Sequence, residues 1–296
     1  MWQDLPPDTT TWVDCGGHRL AAYANGRGND VVLLLNGGPG LSSDHLRAPH
    51  LPLVERGFRV VIHDQLGAGA SDNPADPDLW TIAHYVEEVE CVRRALGLGR
   101  VHLLGHSWGG WLAIEYALHY SGALKSLVLA DTCADIPHLV REAKTLKAAL
   151  GQDTAAMMEE IERTGRFHDP VYLAAIAELD RRHVFTLAER PAPSLRSMTT
   201  FNLDIYRHMQ GPNEYCFTGN LKHWSRLDRL GELTMPVLVV AGRHDVMTPA
   251  CGRLMADALP DARLVVFEQS SHVPHYEEPE AYIATVGAFL DAHRVR

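Results

Sequence analysis

Several signatures that would assign this chain to a membrane, a nucleic acid or a stapled secreted scaffold are missing from it. No run of 18 apolar residues occurs, so no transmembrane helix is expected and no membrane partner. The opening MWQDLPPDTTTW has no basic stretch followed by an apolar one, so it does not read as a secretory signal. Basic residues are the minority, 27 against 37 acidic, for a net charge of −10 with His neutral. With no Lys/Arg run either, nucleic acid is not an expected partner. The five cysteines are odd in number and scattered, with no C-x-x-C pair, so free thiols in a reducing cytoplasm are expected rather than a disulfide framework. The Gly-rich DQLGAGASDNP lacks both G-x-x-x-x-G-K-[ST] and G-x-G-x-x-G, and no phosphate-binding cofactor follows from it. The 17 histidines are dispersed without metal-ligand spacing, so neither a metal nor a cofactor is expected. Internal repeats and low-complexity tracts are also missing.

What is present is an ordinary globular composition, 46% hydrophobic and 22% charged over 296 residues. Short apolar runs alternate with longer helical patterns. Residues 12–15 and 19–24 form a hairpin about Gly16-Gly17, followed by strands over 31–35, 59–63, 101–104, 124–130, 237–241 and 263–267. Several are near-continuous Val, Leu and Ile, as parallel strands buried on both faces require. Helices are expected over 43–56, 82–96, 108–120, 249–258 and 279–292. This alternation implies right-handed crossovers and a mostly parallel eight-stranded sheet. It breaks between about Asp135 and Leu230, where LVREAKTLKAAL, TAAMMEEIERTG and VYLAAIAELDRRHVF read as amphipathic helices. The expected organisation is an α/β core over 1–134 and 231–296 with a helical cap over 135–230.

Gly105-His106-Ser107-Trp108-Gly109 is a G-x-S-x-G between a strand and a helix, the context in which that pattern presents a nucleophilic serine on a tight turn. A serine hydroxyl needs a base, and the base an orienting acid. These come later in the chain in the order Ser, Asp, His. VLVVAGRHDVMTP sets Asp245 just past a buried strand, and FEQSSHVPHYEEPE sets His272 just past the last one. Asp131, ending SLVLAD, is a rival for the acid, because that strand end also reaches the histidine in such an architecture. NGGPG comes directly after a buried strand and suits an oxyanion hole built from the backbone N–H groups of Gly38 and Trp108. MQGPNEYCFTGN places one carboxylate, Glu214, between a turn and an apolar run, far from the serine motif.

Together these residues resemble the α/β-hydrolase fold, and within it the proline iminopeptidases and their relatives, the amino-acid amidases. The resemblance spans most of the chain and rests on NGGPG at 36–40, DQLGAGAS at 64–71, GHSWGG at 105–110, GPNE and FTGNLKHW within 211–224, GRHDVMTP at 242–249 and SSH at 270–272. GPNE with FTGN is the narrow part, since the other motifs occur in many α/β hydrolases. The resemblance implies a cofactor-free serine hydrolase. It would release an N-terminal proline or small apolar residue from a short peptide or amide with a free amino group. It also implies that Glu214 holds the substrate α-ammonium. The alternatives on the same triad are an esterase, a lactonase or a carbon–carbon bond hydrolase; a non-catalytic binding protein is disfavoured by a complete triad. Two positions depart from the family pattern. Asn36 stands where His is usual, and Val246 stands where many members have a second acidic residue after the catalytic aspartate. Oligomeric state carries no expectation.

Overall fold

The computed structural model describes residues 4–294. Eight strands form one sheet: β1 (Thr9–Cys15), β2 (His18–Asn25), β3 (Asp30–Leu35), β4 (Phe58–His63), β5 (Val101–His106), β6 (Leu124–Ala130), β7 (Val237–Gly242) and β8 (Ala262–Phe267). Their order is β1-β2-β4-β3-β5-β6-β7-β8, with β1, β2 and β4 paired antiparallel and the rest parallel. β3, β5 and β6 are almost wholly buried, because helices cover both faces of the parallel part. Those helices are α1 (Asp44–His50), α2 (Pro52–Glu55), α3 (Ile82–Ala95) and α4 (Trp108–His119). Then, between β6 and β7, come α5 (Ile136–Ala148), α6 (Gln152–Thr164), α7 (Pro170–His183), α8 (Ala192–Thr199) and α9 (Leu203–Met209). Last come α10 (Pro249–Ala258), α11 (Pro274–Glu277) and α12 (Pro279–Ala292). Residues 135–230 contain no strand, only helices, loops and two isolated bridges.

The expected helix over 43–56 is divided in two. Pro52 has no N–H to continue the helix and instead opens α2 at its first position. Pro49 lies inside α1 and cannot bond the carbonyl of His45. That carbonyl accepts from the Tyr276 hydroxyl of α11 at 2.8 Å, so the interruption becomes a tie between two elements near the sheet's carboxyl end.

Strand order decides where a crevice can open. From β3 the chain moves to β4 on one side, and from β5 onward it builds on the other, so β3 and β5 are neighbours whose connections diverge. The crevice forms above such a switch point, at the carboxyl ends of the two strands. The loops after β3 and β5 carry NGGPG and Ser107.

One expectation is overturned. Cys15 and Cys91 are joined by a disulfide that ties the end of β1 to α3, with 6.0 Å between their Cα atoms, while Cys133, Cys216 and Cys251 are free. A 76-residue separation offers no local spacing to read; the pairing arises only when α3 packs against the hairpin.

Behind the sheet end lies a group of buried imidazoles from three elements: His45 and His50 of α1, His106 of β5 and His275 of α11. The His106 ring lies 4.8 Å from His275 and 5.9 Å from His45, and His50 lies 5.9 Å from His275. Burial pushes all four down, His45 and His50 to about 4 and the other two well below the ordinary histidine range, so they are neutral when folded.

This packing has two measurable consequences. Titration of the unfolded, unreduced chain should count three thiols out of five, rising to five with reductant. Cys15→Ser should lower stability by about 2–4 kcal/mol in a urea melt, as expected for opening a long loop. Five thiols without reductant would mean the bridge does not form. The histidines set a pH window. Each binds a proton in the unfolded chain below about 6.5 but not in the folded one until well below that. The contribution of these four groups should therefore be flat above pH 7 and fall as pH drops from about 6.5 toward 4, by up to about 1.4 kcal/mol per pH unit for each histidine. Urea midpoints unchanged between pH 7.5 and 5 would contradict this.

Candidate active site

Ser107 sits where β5 turns into α4, at φ 56° and ψ −124°. That backbone is costly for a residue with a Cβ and is over-determined by its neighbours. Ser107 N–H donates to Ala130 O at 3.0 Å, and Ser107 O accepts from Gly110 N–H and from the Thr132 hydroxyl, both at 2.8 Å. The flanking glycines are required by close approach. A Cβ on Gly105 would lie 2.1 Å from Gly109 O, and one on Gly109 would lie 2.0 Å from Leu35 O. The turn after β3 comes equally close: a Cβ on Gly37 would meet the Ser107 Cβ at 3.0 Å. Gly38 has φ 52°, and Asn36 braces this turn by donating Nδ2–H to Leu41 O at 2.5 Å. Trp108 is the first residue of α4, so its N–H lacks an intrahelical acceptor. Its indole N–H donates to Gln65 at 3.0 Å, and Asp64 accepts from Ser43 N–H and Ala70 N–H, so the DQLGAGAS turn supports both sides of the serine.

Asp245 and His272 meet behind the cavity, with His272 Nδ1 donating to Asp245 Oδ1 at 2.7 Å. The same oxygen accepts Met247 N–H at 2.9 Å. Burial opposes charge on His272, but the Asp245 charge and hydrogen bond outweigh it and raise the imidazole pKa. Ser107 and His272 line one cavity of about 320 Å³. Among the described residues Ser107 Oγ makes no hydrogen bond, a looseness common before substrate binds.

Asp131 is also brought here. Like Ser107 it has a positive φ, 50°, and the two are the only such non-glycine residues described. Its Oδ1 accepts Gly242 N–H at 3.0 Å rather than a histidine. Burial, and then the nearby Asp245 charge, push its pKa well above the carboxylate range, which favours the protonated form.

Glu214 opens into the same cavity. Its carboxylate accepts from the Tyr206 hydroxyl at 2.7 Å and from Gln210 Nε2 at 2.9 Å, which leaves lone pairs for a further donor. Its loop is held from below by a polar chain. Asn213 donates to Tyr172, Tyr172 to Glu162, and Lys147 to Glu162. Val246 is fully buried and apolar, with its N–H on His183 O, so no carboxylate stands beside Asp245 on that side.

Sequence reasoning misses three contributors. Asp180, on α7, lines the cavity. Burial, and then the charge of Glu214, raise its pKa to about 7. A signal exists: it is the one acid on the helix stripe that buries Tyr172, Ile176 and Leu179. His106 reads in the sequence only as the nucleophile's neighbour, yet its Nε2–H donates to His272 O at 2.8 Å and fixes the base-bearing loop. Glu277 accepts from Ser271 N–H and from both the N–H and hydroxyl of Thr186, joining that loop to the segment after α7. Nothing local in the sequence marks either contact.

The chain matches the model of the alpha/beta hydrolase fold over residues 30–279. It is 34% identical to a proline iminopeptidase of Heyndrickxia coagulans over 96% of this chain and 99% of that one. A crystal structure of proline iminopeptidase from Mycobacterium smegmatis superposes with a TM-score of 0.88 at 36% identity, covering 96% of this chain and 98% of the other. The crystal structure of VinJ superposes with a TM-score of 0.92 at 33% identity, covering 98% and 100%. The chain is thus an α/β hydrolase and belongs to the family of the proline iminopeptidases.

Proposed function

We propose that this hydrolase releases an N-terminal proline or small apolar residue from a short peptide or amide through an acyl-enzyme. The observation that carries this reading is the pair of carboxylates, Glu214 and Asp180, opening into the cavity that holds Ser107 and His272. A free α-ammonium is the ligand such a pair suits. Its charge offsets their mutual repulsion, and its three donors satisfy lone pairs that Tyr206 and Gln210 leave open. Asp180 thereby takes the place of the acid that many relatives carry where this chain has Val246. The apolar lining from Leu41, Ile176, Met198 and Phe201 accommodates the side chain.

Ser107 Oγ attacks the scissile carbonyl and passes its proton to His272 Nε2. The N–H groups of Gly38 and Trp108 hold the oxyanion, an interaction worth about 3–4 kcal/mol in such sites. His272 then protonates the leaving amine as the C–N bond breaks. Water attacks the resulting ester, gives its proton to His272, and Ser107 leaves with that proton restored. Asp245 keeps His272 in the required tautomer and stabilises the imidazolium. The scheme uses only protein groups and water. A cytoplasmic setting stays part of this reading; there the Cys15–Cys91 pair would be kept reduced, and the thiol count decides between the two states.

For the triad, Ser107→Ala should cut kcat by about 10⁴-fold or more with the fold retained. Asp245→Asn should cut it far more than Asp131→Asn, because an amide at 245 favours the wrong tautomer while one at 131 still donates a hydrogen bond. If Asp131→Asn is the inactive variant, the acid has been misassigned.

For the amine site, Glu214→Gln keeps shape and removes charge. It should lower kcat/KM for prolinamide or alanine p-nitroanilide by about 30- to 1000-fold, the range for breaking a desolvated charge pair. Hydrolysis of p-nitrophenyl acetate, which has no ammonium, should change little. The ratio of the two rates is diagnostic because it cancels damage to the triad. Equal losses would make Glu214 structural. No loss on either substrate would favour the esterase, lactonase or carbon–carbon hydrolase reading.

A further inference from the structure

The cavity holds one charge that this mechanism leaves idle. Arg190, in the segment between α7 and α8, lines it and is only partly exposed. Its guanidinium lies over the Phe185 ring, 4.2 Å from the centroid. Its one polar contact is a long 3.4 Å approach to the Ser194 hydroxyl, and among the described residues it forms no ion pair. Partly desolvated cations are normally paired, because burial without a counter-charge is costly. Burial accordingly lowers the Arg190 pKa, with the Asp180 charge acting in the opposite sense.

The surroundings say which part of a substrate this cation faces. Phe185 packs with Val273 and Tyr276 in a small apolar cluster of its own, apart from the main core. Val273 comes directly after His272, and Tyr276 lies in α11 just beyond it. The base must protonate the leaving nitrogen, so the leaving residue sits on the His272 side, against this cluster. The ammonium carboxylates are carried by other elements, Asp180 by α7 and Glu214 by the loop after α9. In a dipeptide the free carboxylate is only two bonds from the leaving nitrogen, so a group that recognises it has to stand at this wall.

We propose that Arg190 binds the α-carboxylate of the leaving amino acid, so that the preferred substrates are dipeptides with a free C-terminus and an apolar second residue. The proposal rests on the aminopeptidase reading and adds the leaving-group side to it. The substrate is then gripped as a zwitterion: ammonium on Glu214 and Asp180, carbonyl over Ser107, carboxylate on Arg190, second side chain on Phe185, Val273 and Tyr276. A cavity of about 320 Å³ suits a ligand of that size. A longer peptide or an arylamide presents no carboxylate at this position and leaves the guanidinium desolvated without a partner.

The test compares Pro-Leu with Pro-Leu-NH2, which differ only in that charge, in the wild-type enzyme, Arg190→Gln and Arg190→Lys, with p-nitrophenyl acetate as a control for the triad. The wild-type enzyme should favour Pro-Leu in kcat/KM by about ten-fold or more, as expected for one charge-assisted contact at a partly exposed site. Arg190→Gln should erase that ratio, chiefly by raising KM for Pro-Leu, and Arg190→Lys should restore part of it. A wild-type ratio near one, a ratio that survives Arg190→Gln, or equal losses on both substrates would overturn the proposal and leave Arg190 as a counter-charge to Asp180. If neither free-amine substrate is turned over while the acetate ester is, the aminopeptidase reading fails and this one falls with it.

Discussion

The backbone at Ser107 is the constraint on which the rest depends. A non-glycine residue at φ 56° survives only because β5, β6, α4 and the turn after β3 close around it without room for a single extra carbon at Gly105, Gly109 or Gly37. That crowding fixes two things at once. It holds Ser107 in its positive-φ conformation, and it brings the turn at Gly37 into close contact with Ser107 and His106, just before the start of α4. The switch in strand order between β3 and β5 supplies the crevice into which all of this opens.

Legibility in the sequence tracks how local each signal is. The strands can be read because burial on both faces demands unbroken apolar runs. The serine turn can be read because its glycines are compelled by contacts within a few residues of one another. Asp245 and His272 are legible as residues just past buried strands, and the structure brings them to 2.7 Å. Asp180 is hidden because an acid on a helix face looks solvated until the helix is docked. The Cys15–Cys91 bridge is hidden because its partners are neighbours only through the packing of α3 on the opening hairpin. The helix over 43–56 fails for the opposite reason. Two prolines in plain view, Pro49 and Pro52, compete with a good apolar pattern, and the loss of backbone donors prevails at Pro52.

The segment between β6 and β7 does more than cover the crevice. It contributes Asp180, Arg190 and Glu214 to the cavity wall, whereas the loops after the sheet strands contribute Ser107 and His272, with Asp245 behind His272. The two sets must keep register to fractions of an ångström for a bound carbonyl to meet the serine. Polar ties of distant sequence origin serve that need. Glu115 of α4 accepts the Trp224 indole N–H and pairs with Arg226, Glu277 spans from Ser271 to Thr186, and Ser197 of α8 accepts the His45 N–H. Each joins a side chain or backbone group of the recognition layer to one of the sheet layer. Loss of such a tie would be felt as lost alignment more than as lost stability.

Two pairs of carboxyl groups share one electrostatic logic. Asp131 beside Asp245, and Asp180 beside Glu214, are each cases of two acids in a setting too dry to hold two charges, and in each pair one member is pushed toward its protonated form. The behaviour differs because the exposure differs. Asp131 is sealed, which favours its protonated form, and the Asp245 carboxylate of the pair is the one that accepts from His272. Asp180 faces the cavity, with its pKa raised to about 7, so near neutrality its second charge is held back by burial and by Glu214. A cation entering the cavity removes that obstacle, and its arrival and the loss of the Asp180 proton favour each other. The empty site therefore avoids most of the cost of two adjacent charges, and the full attraction develops only with an ammonium in place. Under the proposed aminopeptidase reading, that is how a chain with Val246 beside Asp245 would grip an amine with two carboxylates.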